Sequence, residues 1–262
     1  MKQYKLIILF LFTILFVSCS SDDGKISFTI LQLNDVYEIS SIQGGKYGGM
    51  ARVETVHQEL VAKNKNTLLV MAGDFLNPSL LGTMKHEGIR VRGKQMIEVM
   101  NAMSFDVVAF GNHEFDIPKK DLQKRMDESN FPWISSNVFN KTADSIKQFY
   151  QELSGVKRLI KGSFIKEIFD EDGTKIKVGF ISVCIPSNPK DYVLYKDMFG
   201  AIVKEYESIK NKVDIVIGLT HVKIEHDREI ARLLPNIPLI MGGHEHTNKN
   251  EMIGNVRITK AD

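Results

Sequence analysis

Short apolar runs at 27–33, 67–72, 106–110, 132–135, 177–183, 214–219 and 237–241 alternate along this chain with stretches of helical periodicity. Met50, Val53, Val56 and Leu60 mark one such helix, and Met96, Val99, Met100 and Met103 another, each at three- and four-residue spacing. Residues 117–126, 196–210 and 224–234 supply three more helical stretches. Runs of this length and apolarity cannot alternate with helices except as βα units. The fold class is therefore α/β, with a largely parallel sheet covered on both faces. Residues 163–169 and 175–183 flank Glu171-Asp172-Gly173, which predicts one antiparallel hairpin. Residues 138–162 show no period and are read as a surface insertion.

Five of the runs end in chemistry. They lead into Asn34-Asp35, Gly73-Asp74, Gly111-Asn112-His113-Glu114-Phe115-Asp116, Thr220-His221 and Gly242-Gly243-His244-Glu245-His246. The carboxyl ends of parallel strands share one edge, and ligands bind in the crevice outside it. That edge would gather carboxylates, an amide and imidazoles, with glycines allowing tight turns and close backbone approach. A lone Gly-Asp or Thr-His is ordinarily a turn or a cap. Five such endings at successive strand ends are not explained that way. His57, His86 and His226 fall on helical or loop stretches and are read as surface residues.

Mixed oxygen and nitrogen donors without a thiolate suit a pair of divalent ions and disfavour a closed structural zinc. Mn, Fe, Co, Ni and catalytic Zn all fit such a set. One carboxylate can bridge two ions about 3.5–4 Å apart, and Asp74 is the natural bridge. A two-metal site activates a hydroxide for in-line attack on phosphorus, while a free imidazole can protonate the leaving oxygen.

The N-terminus reads as a lipoprotein-type signal over residues 1–18. Lys2 and Lys5 precede an apolar run at 6–17, and Ser18-Cys19 precedes a polar tether at 19–25. The run is too short for a permanent span. Cys19 is the expected lipidation site, placing an exported protein on the outer side of a membrane, periplasmic or at the cell surface. The other cysteine, Cys184, then has no partner and is expected as a buried free thiol. The chain carries 34 basic and 32 acidic side chains. Without Lys2 and Lys5 these are equal, so no global field attracts a nucleic-acid polymer.

The chain resembles the calcineurin-like metallophosphoesterases, and within them the bacterial 5′-nucleotidase and cyclic-phosphodiesterase branch. The resemblance rests on Leu33-Asn34-Asp35, Gly48-Gly49-Met50-Ala51-Arg52, Ala72-Gly73-Asp74, Gly111-Asn112-His113-Glu114-Phe115-Asp116, Ser136-Asn137-Val138, Leu219-Thr220-His221 and Gly242-Gly243-His244-Glu245-His246. It implies a sandwich of mostly parallel sheet covered by helices, spanning 26–262, with the metals at the strand carboxyl ends. It implies one ion on Asp35, Asp74 and His246 and another on Asp74, Asn112, His221 and His244. His113 is implied as the catalytic imidazole, oriented by Asp116. The implied reaction is metal-dependent hydrolysis of phosphate esters, above all nucleotides. The alternative is a lipoprotein of this fold that binds metal or nucleotide without catalysis. The family's Asp-x-His reads Asp35-Val36-Tyr37 here, which makes Tyr37 a further candidate ligand. The branch's C-terminal nucleotidase domain has no counterpart before Asp262, and the sheet's closing strands are expected to be missing with it.

Overall fold

A computed structural model describes residues 24–261 of the chain. The leader, Cys19 and the first residues of the tether lie outside this range.

Every apolar run of the sequence forms a strand, but they divide between two sheets. The first sheet places Thr29–Leu33, Thr67–Met71, Val107–Ala109 and Trp133–Ile134 side by side, all parallel. In the second, Lys175–Ile181, Ile215–Thr220, Leu239–Gly242 and Val256–Lys260 run parallel. Ser163–Phe169 and Lys249–Ile253 flank them as antiparallel edges. The predicted hairpin is present, with Phe169 opposite Lys175.

Alternation along each strand sorts its side chains between two cores, because successive residues point to opposite faces. Leu69, Met71 and Val108 pack with Met50, Met96, Met100, Leu122 and Met126 of the helices Met50–Lys63, Lys94–Met103 and Lys119–Glu128. Their neighbours Leu68, Val70, Ala72, Val107 and Ala109 instead meet Val178, Phe180, Ile217, Leu219 and Met241 of the second sheet. On that sheet's far side, Ile181, Val216 and Ile240 pack under the helices Met198–Ile209 and Ile224–Leu233 through Ile202, Ile209 and Ile230. The architecture is helix, sheet, sheet, helix. This is the mostly parallel sandwich that the resemblance implied, and periodicity alone did not distinguish one covered sheet from two stacked ones. A strand buried under a second sheet is as apolar on both faces as one buried under helices, so the sequence pattern is the same.

One correction concerns the insertion. Residues 138–162 are short strands rather than irregular surface chain. Val138–Lys141 pairs with Val193–Tyr195, Tyr150–Leu153 pairs with Val156–Leu159, and Phe149, Gln151 and Ile160 are buried. Beyond the last motif, Lys249–Ile253 and Val256–Lys260 extend the second sheet past Leu239–Gly242.

The two sheets are joined at the edge where their parallel strands end. The Gln32 amide donates to the Gly242 carbonyl at 2.9 Å and accepts from the Thr259 hydroxyl at 2.6 Å. The Asn34 side chain exchanges hydrogen bonds with the Ala261 backbone at 2.8 and 3.2 Å. Both sets of strand ends are thereby fixed around one crevice.

Phe180 is fully buried between the sheets. Truncation there leaves a cavity that neither sheet can close, because each is held by its own ladder. Phe180→Ala should destabilise the protein by about 3–5 kcal/mol, read as a fall in the urea midpoint with unchanged slope.

Candidate metal centre

The crevice depends on backbones approaching closer than side chains normally allow. Gly73 has φ +84°, and a Cβ there would lie 2.5 Å from the Gly111 nitrogen. A Cβ on Gly111 would meet Asp74 Oδ1 at 2.1 Å. Only glycines let these adjacent strand ends turn against one another. Asp35, Asp74, His244 and His246 themselves have φ of 53°, 57°, 92° and 50°. Four of the candidate ligands thus sit in the left-handed region, which costs energy for residues with a Cβ and is tolerated where surrounding contacts hold it.

These turns bring together Asp35, Asp74 and His221, with donor atoms within 4.8 Å of one another. His221 Nε2 lies 3.0 Å from Asp74 Oδ2 and 4.0 Å from Asp35 Oδ1. His246 Nε2 lies 3.1 Å from Asp35 Oδ1. The His244 ring stands edge-on to His221 with centroids 5.4 Å apart, and its backbone N–H donates to Asp35 Oδ2 at 2.8 Å. The His113 N–H donates to Asp74 Oδ1 at 2.7 Å. Asp35, Asp74, His113, His221, His244 and His246 therefore meet at one crevice.

The donor set fits a cation. His221 is fully buried, and its Nδ1 lies 2.7 Å from the Ala72 carbonyl. That contact requires the proton on Nδ1 and leaves Nε2 as the free donor, the arrangement usual for a metal-bound imidazole. Nε2 lies in ion-pair range of Asp74 but without hydrogen-bond alignment, so it has no hydrogen-bond partner. The buried Asn112 Oδ1 also lacks a partner. Buried polar atoms are nearly always satisfied, and an unpartnered imidazole nitrogen beside two carboxylates marks a place for positive charge. Burial alone would lower the pKa of His221, but the charge of Asp74, reinforced by Asp35 and the Ala72 carbonyl, holds it up to about 9. Asp74 is held below the usual carboxylate range, with burial opposed by His221 and the His113 N–H. Burial, with His221 adding to it, lowers His244.

His113 stands beside this cluster. Its Nδ1 lies 2.6 Å from Asp116 Oδ2 within a single turn of 3-10 helix, His113–Asp116. Lys190 Nζ approaches the other Asp116 oxygen at 2.9 Å. The Tyr192 hydroxyl donates to the carbonyls of Phe115 and Ile117, both at 2.9 Å, fixing that turn. Lys190 and Tyr192 carried no signal in the sequence, since Pro189-Lys190-Asp191-Tyr192 reads as an ordinary loop.

Glu114 was visible only as part of its motif. Its carboxylate is fully buried and accepts backbone N–H bonds from Asp74 at 2.9 Å, Phe75 at 2.7 Å, Leu76 at 3.1 Å and Gly111 at 2.6 Å. Burial and the nearby charge of Asp74 push its pKa up to about 7, opposed by those N–H bonds. Behind the His221 and His244 turns lies another unforeseen group, the buried Lys260. Its ammonium donates to the Gly243 and Val222 carbonyls and pairs with Asp227 at 2.9 Å and with Glu245. Among the other histidines, His86 is exposed as expected. His57 and His226 are half-buried, the latter edge-on to Phe199 at 5.9 Å, so the surface reading is corrected for these two. Cys184 is buried and free, and burial raises its thiol pKa. No helix among the described residues is long and apolar enough to cross a membrane.

Residues 28–248 match the calcineurin-like phosphoesterase family, and the chain belongs to it. The chain is 30% identical over 244 residues to the snake venom 5′-nucleotidase of Crotalus adamanteus, covering 86% of this chain and 38% of that protein. It is 30% identical over 240 residues to the 5′-nucleotidase of Homo sapiens, covering 86% of this chain and 39% of that one. The chain thus spans less than two fifths of the length of these relatives. Among solved structures, the 5′-nucleotidase precursor from Thermus thermophilus superposes with a TM-score of 0.69 at 22% identity, over 89% of this chain and 48% of that one. The calcineurin-like phosphoesterase YfkN from Bacillus subtilis gives 0.67 at 22% identity, over 89% and 80%. At such identities these structures speak for the fold alone.

Replacing Glu114 with Gln puts an NH₂ group where a carboxylate oxygen accepts backbone N–H bonds. Glu114→Gln should cost about 2–4 kcal/mol of stability, the penalty of leaving buried donors unpaired. Chemical denaturation checks it, and a loss below about 0.5 kcal/mol would remove Glu114 from this role.

Proposed function

We propose that the chain hydrolyses phosphate monoesters, nucleotides foremost, with a pair of divalent ions held at the strand ends. The observation that carries this reading is the pairing of two kinds of group in one crevice. His221 Nε2, buried and without a hydrogen-bond partner, lies beside Asp35 and Asp74, and the likewise unpartnered Asn112 Oδ1 belongs to the turn whose His113 N–H reaches Asp74. A separate imidazole, His113, is held on its own carboxylate. The nucleotide class comes from the 5′-nucleotidases among the similar proteins.

In this reading Asp35, Asp74 and His246 hold one ion, and Asp74, Asn112, His221 and His244 hold the other. Bound divalent ions, with Mn, Zn, Fe, Co and Ni all compatible, supply positive charge against the phosphoryl oxygens and acidify a water. The protein's own contribution is orientation and proton transfer. Asp74 reaches both sets of donors, and the backbone contacts at Gly73 and Gly111 fix where its oxygens lie. The Ala72 carbonyl holds the His221 tautomer. Asp116 takes His113 Nδ1–H and leaves Nε2 for the substrate, so that a protonated ring gives its proton to the leaving oxygen. Lys190 balances the charge on Asp116. A protein that only bound metal or nucleotide would have no use for this last pair, so catalysis is preferred to the binding-only alternative.

Turnover of p-nitrophenyl phosphate with Mn²⁺ tests the metal requirement. Chelation should abolish it, and Asp74→Ala should lower it more than about 100-fold, beyond what loss of an outer-shell partner causes. Full activity after chelation would refute a metal-dependent reaction.

His113→Asn separates proton donation from metal holding. General acid catalysis contributes typically about 10²–10⁴-fold, and its value grows with the basicity of the leaving group. The variant should keep its metal and lose roughly that factor on a 5′-nucleotide, but less on p-nitrophenyl phosphate. Loss of metal, or equal losses on both substrates, would give His113 a different job.

Anchoring through acylated Cys19 completes the proposal. Wild type and Cys19→Ser, grown with labelled fatty acid and fractionated, should differ in label and in membrane association. Equal labelling would leave a simple secretory signal.

A further inference from the structure

Tyr37 stands where the family pattern places an imidazole, and its hydroxyl lies among the candidate donors. Its oxygen is 3.0 Å from His246 Nε2, 3.3 Å from Asp74 Oδ2 and 3.4 Å from Asp35 Oδ1, while His246 Nε2 and Asp35 Oδ1 are 3.1 Å apart. These four atoms make four close contacts. The phenol O–H and a single Nε2–H can supply hydrogen bonds to only two of them. The remaining two set lone pair against lone pair, unless a cation lies between. Donors bound to one ion at about 2.0–2.2 Å stand about 2.8–3.6 Å from one another in octahedral or tetrahedral arrangements, and all four contacts fall in that range. The ring is also placed by its neighbours, edge-on to His246 at 5.4 Å and to His113 at 6.1 Å.

We propose that Tyr37 is a ligand of the ion held by Asp35, Asp74 and His246, and that its oxygen turns this position toward a trivalent, oxygen-seeking cation, iron(III). The inference rests on the metal-site reading above and replaces its divalent ion at this one position with a trivalent one. With Tyr37 the set is three anionic oxygens and one neutral nitrogen, matching a charge of three. With the family's imidazole it would be two of each, matching a charge of two. Hard oxygen donors favour hard ions, and tyrosinate is an established iron ligand in proteins. On binding, the phenol O–H bond breaks, an oxygen–iron bond forms, and one proton leaves to solvent. Iron enters already oxidised, so no electron is transferred.

The test loads the full chain with iron(III) or zinc(II) alone and reads metal content, visible absorption and resonance Raman scattering. Iron-loaded wild type should show a visible phenolate-to-iron charge-transfer band with enhanced tyrosinate ring modes, and the zinc form should be colourless. Tyr37→Phe should lose the band and at least about tenfold in iron(III) affinity. Tyr37→His should lose the band yet bind zinc at least as tightly as wild type, and this controls for folding. Iron bound without the band, or a band that persists in Tyr37→Phe, overturns the inference while leaving the phosphatase reading intact. If neither ion binds and chelation leaves turnover unchanged, both fall.

Discussion

Everything in the crevice hangs on the buried carboxylate of Glu114. A carboxylate inside a core costs several kcal/mol unless its lone pairs are met, and here four backbone N–H groups from two strand ends meet them. Those N–H groups belong to the turn after Thr67–Met71 and to Gly111 after Val107–Ala109. One side chain thus clamps two turns whose glycines already touch. With both turns fixed, Asp74 can hold φ +57° and receive the His113 N–H. Without the clamp, the left-handed Asp74 would relax toward ordinary backbone, and the first and second sheets would no longer present donors to a common point.

The second sheet solves the same problem with a cation. Lys260 lies on the strand Val256–Lys260 and donates to carbonyls directly after His221 and directly before His244. Asp227 and Glu245 neutralise it. Burial pushes Asp227 up to about 6, although Lys260 and the Thr220 hydroxyl favour its charged form. This arrangement shares a logic with Glu114. A buried charge, satisfied mainly by backbone, tells a loop where to go more firmly than packing alone, because every alternative leaves a charge unpaired.

How much of this the sequence disclosed follows from range. Short-range signals were legible: all seven apolar runs became strands, the hairpin formed at its Asp-Gly turn, and the five strand endings converged. Legibility failed where a signal depends on what lies opposite. Leu68 and Leu69 look alike in sequence, yet one faces the other sheet and one faces helices. Phe149 and Ile160 are buried by partners far along the chain, so 138–162 showed no period of its own. Lys260 carries no signal of its own in the sequence and becomes meaningful only once Asp227 is found 2.9 Å away. Lys190 is the plainest case, for a single lysine in a loop becomes meaningful only when Asp116 is found 2.9 Å away.

The cost of the site is concentrated where its function is proposed. Asp35, Asp74, His244 and His246 are all left-handed, a state that costs on the order of 1–3 kcal/mol per residue. Asp35, Asp74 and His244 are tied down by further contacts. Asp35 accepts the His244 N–H, Asp74 accepts the His113 N–H, and the Asp35 N–H reaches the Gly73 carbonyl at 3.0 Å. The first of these bonds crosses between the two sheets, so that the backbone of one candidate ligand satisfies the side chain of another. The fold thus holds Asp35 and Asp74 close together against their mutual repulsion, and a cation bound between them would relieve it.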